Sequence, residues 1–316
     1  MRLSIFITLS FLLCTLFCQC NGDIFVEEFA PAATEYTLNG DGDSITIQFA
    51  SGDWDVSGGY FSSYQPYTWT ICDVIGHPVK VDEQPHWEGL GKCLYDDFLL
   101  SVEITRDQYN KLYIKTCENA YKDSISLTLT ISNSFTTQLI KIHITPATRY
   151  QLSRIEYQLS DFSHETIEKK HGYGSFYNVS NVPTRWGIHV FQNRYNQVWF
   201  ESLWPAQILA PDTQVEIPCY HPNGVPPLTL SQQKVTYSEE YQNLPLSYSN
   251  LMEWIEIPPH CTQDVYTQIT YDKVGVFYNL YAINPKTGKE RLFSGTFYSR
   301  APRQTDYKII QETIKE

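Results

Sequence analysis

The chain has 316 residues with 23 basic and 35 acidic side chains, a net charge of −12, so nothing in its electrostatics suits a phosphate backbone and nucleic-acid binding is excluded. Apolar residues make up 42 % of it, enough for packed cores, and a length near 300 residues predicts two domains. The 23 Tyr and 16 Phe against 2 Met, with Thr, Ile and Val throughout, favour sheets over helices.

Leu3 to Cys18 is an uncharged run of 16 residues after a lone Arg2, long for the apolar region of a signal peptide and short for a bilayer span. Residues 1–19 are therefore expected to be a cleaved signal peptide. Cys20 stands where cleavage is expected, and its surroundings suggest a lipobox, with the mature chain lipidated at Cys20 and attached to a membrane. Ordinary signal-peptidase cleavage is the alternative, giving a secreted or periplasmic protein.

Residues 20–147 read as the first domain. Asn39 to Asp43 (NGDGD) is a turn; its acidic residues lack the downstream glutamate of a calcium loop. Strand alternation follows at Ile45, Ile47 and Phe49, at Leu100, Val102 and Ile104, and at Leu112, Ile114 and Thr116. It is clearest where Ile125, Leu127, Leu129 and Ile131 interleave with Ser and Thr, and it returns at Ile140, Ile142 and Ile144. Seven or so short strands with intervening turns describe an antiparallel sandwich. The order ITIQF, GDWDV, LYIKTCEN, SISLTLTI and LIKIHI, over residues 35–146, resembles the BACON-type and related immunoglobulin-like modules of Bacteroidetes surface proteins. The resemblance implies a non-catalytic spacer or binding module on the cell envelope.

Residues 148–316 read as a second β-sandwich, so the chain is expected to be all-β with two tandem antiparallel immunoglobulin-like sandwiches. Ile155, Tyr157 and Leu159 begin a strand that Ser160-Asp161 ends, and residues 163–170 (SHETIEKK) suit a helical turn. His164-Glu165 lacks the second histidine of a zinc-protease helix, because position 168 is Glu. Residues 186–201 (WGIHVFQNRYNQVWFE) predict an aromatic hairpin around Asn193 to Asn196, followed by Trp204. Trp186, Tyr195, Trp199 and Trp204 could form a sugar-stacking face, or the rings could fill the core. Gly275 to Tyr298 carries the best hairpin signal, turning at Asn284-Pro-Lys-Thr-Gly288. A last strand is expected at Tyr307 to Ile310.

Two segments echo each other, Val215-Glu-Ile-Pro-Cys219 and Ile255-Glu-Ile-Pro-Pro-His-Cys261. In an oxidising compartment a Cys219–Cys261 disulfide is the expectation. A Cys₂His₂ metal site with His221 and His260 is the alternative, on spacings poor for a tetrahedron. Cys72–Cys93 is the second expected bridge, with Cys117 buried in its strand.

No nucleophile elbow, phosphate loop or dinucleotide fingerprint is present, and nothing selects a carboxylate pair from Asp161, Glu201 and Glu253. The expectation is a non-enzymatic protein, without cofactor or metal, at the outer membrane or cell surface. It would bind a glycan or host polymer, or, alternatively, make structural or assembly contacts with envelope or host proteins.

Overall fold

A computed structural model describes residues 29–62, 68–82 and 84–314. The segment expected to be a signal peptide, residues 1–19, and Cys20 lie outside the described residues. The chain divides at Thr148/Arg149 into two compact units, and among the described residues it forms nineteen strands and one four-residue helix. The class is all-β.

The N-terminal unit contains β1 (Glu35–Leu38), β2 (Asp43–Gln48), β3 (Asp55–Phe61), β4 (Trp69–Cys72) and β5 (Pro78–Asp82). They are followed by β6 (Gly91–Asp96), β7 (Leu100–Gln108), β8 (Lys111–Asn119), β9 (Ile125–Ser132) and β10 (Thr137–Ile144). One sheet has the order β1-β10-β9-β3 and the other β2-β8-β7-β6-β4-β5. The alternating residues of β9 and β10 meet in register, Ile140 opposite Leu129, Ile142 opposite Leu127 and Ile144 opposite Ile125, and all six are buried. These rows and the inward faces of β2, β4, β6, β7 and β8 share one hydrophobic core. Each Leu or Ile so buried contributes about 1.5–3 kcal/mol. The pairing is not uniformly antiparallel, since β1 runs parallel to β10.

The Asn39–Asp43 turn directs its acidic groups at the chain itself. Asp41 accepts from the Thr148 backbone N–H at 2.6 Å and hydroxyl at 2.7 Å, while Asp43 accepts from the Asn39 N–H at 3.0 Å. Cys117 departs from expectation: it is exposed, because Leu112, Ile114 and Thr116 take the inward positions of β8. Arg106 is 1 % exposed, its guanidinium 3.7 Å from the Trp54 ring and bonded to Asp55 and to the carbonyls of Gly52, Gly89 and Tyr109.

The C-terminal unit is built differently. Its strands are β11 (Gln151–Asn178), β12 (Thr184–His189), β13 (Asn196–Glu201), β14 (Gln214–Tyr220) and β15 (Leu228–Thr236). Then come β16 (Gln242–Leu244), β17 (Met252–Ile257), β18 (Cys261–Ile283) and β19 (Glu290–Thr313), with helix α1 (Pro205–Ile208) after β13. Three strands, β11, β18 and β19, have 28, 23 and 24 residues and form an antiparallel meander, to which β13 and β16 add on one side. At ~3.3 Å per residue the longest spans about 90 Å. Strands β12 and β17 pair with each other, as do β14 and β15.

Two local expectations fail here. Residues 163–170 are not helical; they lie mid-strand in β11, paired with Gln268 to Gly275 of β18. Ser160-Asp161 does not end the strand either, because a register shift between Tyr157 and Phe162 absorbs the polar residues and pairing resumes. The aromatic hairpin at 186–201 does not form. Trp186 pairs opposite Ile255 of β17, whereas Trp199 pairs opposite Tyr298 of β19. Between them Val190 and Phe191 are drawn into a cluster with Leu246, Ile269 and Tyr271, which pulls the two arms into different sheets. The expected turn at Asn284–Gly288 does join β18 to β19. The Asn284 side chain accepts from the N–H groups of Lys286 (2.9 Å) and Thr287 (3.1 Å), and Gly288 takes φ 72°. The segment expected as a last strand, Tyr307 to Ile310, is the far part of β19.

Candidate functional site

The four aromatics do not share a face. Trp199 is 6 % exposed, stacked 5.1 Å from Tyr298, with Tyr241 at 4.7 Å and its indole N–H on Glu201 at 3.0 Å. Trp186 is 42 % exposed on β12, beside Phe176 at 5.4 Å. Trp204 is half-buried just before α1, and Tyr195, 40 % exposed, stands in the turn before β13. Of the singled-out carboxylates, Glu201 accepts from Trp199 and Glu253 accepts from the Tyr307 hydroxyl at 2.5 Å.

The Cys219–Cys261 bridge is overturned by the length of the sheet. The ring of Tyr220, next to Cys219, lies 4.8 Å from that of His164, which pairs with Val274 of β18. Cys261 pairs with Asn178 at the other end of β11. Cys261 and Val274 are thirteen positions apart on β18, about 40 Å, where a disulfide needs Cα atoms about 4.4–6.8 Å apart. The same separation parts His221 from His260, whose ring bonds Asn181 at 2.7 Å, and so removes the Cys₂His₂ alternative. Cys72 and Cys93 are neighbours across β4 and β6, both buried and both free thiols. Burial first, and then the adjacent Cys72, push the Cys93 thiol well up.

Two polar sites occupy opposite faces of the long sheet. On one, the β14–β15 hairpin side, a groove of about 670 Å³ holds Asp272, Arg303, Tyr220 and Cys219. Asp272 is 8 % exposed and takes a two-pronged contact from Arg303 (2.8 and 2.9 Å) and one from His164 (2.6 Å). Burial pushes its carboxyl up, but the bonds from Arg303 and His164 outweigh it and hold Asp272 below the ordinary range. The set resembles part of a nucleophile–His–Asp relay, yet among the described residues no hydroxyl or thiol bonds His164. Burial raises the nearby Cys219 thiol, which disfavours the thiolate. The ions in this groove satisfy one another.

On the other face a smaller pocket of about 160 Å³ is lined by Lys169 and His171 from β11, Tyr271 from β18, Arg300 from β19 and Arg194 and Tyr195 from the turn before β13. Alternation puts Lys169 and His171 on the same side of β11, and pairing puts them beside Ile269 and Thr267. The turn is held by Arg194 N–H to Phe191 C=O at 3.0 Å and by Asn193 in the left-handed region, φ 56°, which asparagine tolerates. Tyr271 and His171 are bonded at 3.0 Å, and Arg300 donates to Gln197. Burial lowers His171, with Arg194 and Lys169 adding to the effect, and lowers Lys169, with Arg300 adding. No carboxylate lines this pocket. Sequence reading missed it because its cations lie far apart along the chain.

No protein-family profile and no curated protein matches the chain. Among solved structures it is similar to a lamprey immune protein, at 9 % identity over 88 % of this chain and 89 % of that one, TM-score 0.33. A protein from Bacteroides thetaiotaomicron solved by NMR shares 12 % over 40 % of this chain and 93 % of its own, TM-score 0.27. The parasporin-2 toxin of Bacillus thuringiensis, which recognises cancer cells, shares 8 % over 61 % of this chain and 76 % of its own, TM-score 0.27. Likenesses this slight identify neither a family nor an activity.

Proposed function

We propose that this is an exported, non-enzymatic protein of the cell envelope, lipid-anchored at Cys20 or released, that works by assembly. Its C-terminal unit joins other copies of itself through the long meander. One observation carries this: β11 runs for 28 residues with a strand paired on only one side, so among the described residues its outer edge is a row of backbone donors and acceptors without a ladder. Edge strands of soluble proteins are usually short or covered, and this one is neither. Glu165, Glu168, Lys169 and Lys170 along it would restrict pairing to a matching edge. Native mass spectrometry of the full protein, alone and on vesicles, tests this. Defined oligomers are expected, and a monomer under both conditions at micromolar concentration refutes it.

A second reading, insertion of a hairpin into a bilayer, has its own observation. Val274, Val276, Tyr278, Leu280 and Ala282 line one face of β18, opposite Phe297, Gly295 and Phe293 of β19. The alternation covers about ten residues per arm, and a membrane-crossing β-strand needs about 9–11. That face now packs on Phe200 and Tyr237, so insertion would require it to leave them. Dye release from vesicles is expected under this reading; intact vesicles coated with protein would sink it. The glycan-binding reading has less support, since the aromatics are scattered.

A further inference from the structure

We propose that the pocket beside the Asn193–Tyr195 connection into β13 is a binding site for an oxyanion, a phosphate or sulfate group. The group could be free, or borne on a sugar or a lipid headgroup.

The argument begins with charge. In a chain of net charge −12, three cations, Lys169, Arg194 and Arg300, converge with His171 on one recess, and none has a carboxylate within 4.0 Å among the described residues. The adjacent Glu168 alternates to the other face of β11 and accepts from Gln268 at 2.6 Å, and Glu165 faces Lys273 at 3.9 Å. Like charges brought together and partly desolvated repel one another, and that cost falls when an anion enters. The groove on the other face is the internal control: there the sheet buries a carboxylate and answers it with Arg303 and His164.

One of these donors is also unsatisfied. Arg194 Nε is buried without a hydrogen-bond partner, and the one bond of its guanidinium goes to the Asn193 carbonyl at 3.2 Å. A buried donor left without a partner is costly, and a charged one more so. Two guanidinium groups, an ammonium and an imidazole, brought together from β11, β19 and the connection before β13, suit a tetrahedral anion with several acceptor oxygens. The size limits the ligand. About 160 Å³ is several times the ~30 Å³ share of a water molecule but smaller than the ~300 Å³ at which ligand pockets usually begin. The pocket therefore takes one group and leaves its carrier outside. Tyr195, 40 % exposed at the rim, offers that carrier a ring.

The experiment uses full-length protein titrated with inorganic phosphate and with inorganic sulfate, against chloride at matched ionic strength. Calorimetry and the NMR titration of the His171 imidazole are the readouts. Saturable binding is expected, together with a rise in the pH at which His171 protonates, since an anion would offset the positive field of Lys169 and Arg194. Arg194→Gln and Arg300→Gln should each weaken binding about tenfold or more. Without anion, Arg194→Gln should keep or raise the thermal midpoint, because repulsion is relieved, and the midpoint should no longer climb with phosphate. Glucose 6-phosphate and phosphatidylcholine vesicles containing phosphatidic acid separate the two carriers. Absence of saturable phosphate and sulfate binding, or wild-type affinity in Arg194→Gln, overturns the assignment. A monomeric protein that still binds phosphate would refute the assembly reading alone.

Discussion

The two units use the same strand chemistry for different ends. In the N-terminal unit two sheets enclose one cluster of 24 buried hydrophobic residues, and buried charge is confined to pairs and straps such as Arg106. In the C-terminal unit the Val276, Tyr278, Leu280 and Phe297 face packs on Phe200 and Tyr237, smaller clusters such as Ile188, Ile255, Ile257 and Val265 lie elsewhere, and the long sheet also carries Asp272, Lys169 and Arg300. A sheet whose inner face is fully covered by apolar rows has little charge left over for recognition. A sheet too long for its cover keeps charged faces and an open edge, and that is where function is to be sought.

This contrast can be broken most directly in the first core. Leu129→Ala should lose about 2–5 kcal/mol by creating a cavity among Leu127, Ile131 and Ile140. Denaturation followed by fluorescence should show the loss in one transition only; a joint shift of both units would undo the contrast. A smaller loss, about 2 kcal/mol, is expected for Arg303→Ala, which strands the Asp272 carboxylate. The figure is below the ~3–5 kcal/mol of a fully buried pair because Arg303 is 31 % exposed. The pH dependence has a definite sign. Asp272 is held below its ordinary pKa, so the unfolded chain binds its proton first as pH falls. Its contribution is complete above the ordinary carboxylate pKa near 3.9 and is lost below it, as pH falls through the folded value. Asp272→Asn should flatten the acid-denaturation curve in that window. Least affected should be Lys170→Ala, which removes an exposed pair with Glu312 and should cost no more than about 0.5 kcal/mol. A larger loss would mean that β11 is held more firmly at its edge than its exposure suggests.

How far the fold could be read from sequence follows the same division. The β9–β10 ladder was legible because Ile and Leu alternate with Ser and Thr at period two, and the Asn284–Gly288 turn because asparagine and glycine supply a side-chain acceptor and a positive φ. The single strand β11 was not legible. Polar residues such as Ser160, Asp161 and His164 read as a break and a helical turn, yet at a sheet edge they cost little and pairing with β18 overrides local preference. The Cys219 and Cys261 segments look alike because both are strand ends with proline, but similar local sequence says nothing about distance along a 23-residue strand. The basic pocket was out of reach for another reason. Lys169, Arg194 and Arg300 are separated by 25 and 106 positions, and only strand pairing brings them together.

Arg106 has a consequence for how the N-terminal unit comes apart. Its one guanidinium is shared by the turn at Gly52, the loop at Gly89 and the β7–β8 connection at Tyr109, with Trp54 beneath it as a platform. A lysine could not serve all three, because a point ammonium lacks the planar fork. None of these connections can lift away without leaving a buried cation short of acceptors for the other two. That end of the unit therefore behaves as one clasp that opens whole or not at all, and three loops distant in sequence have a single threshold for disorder.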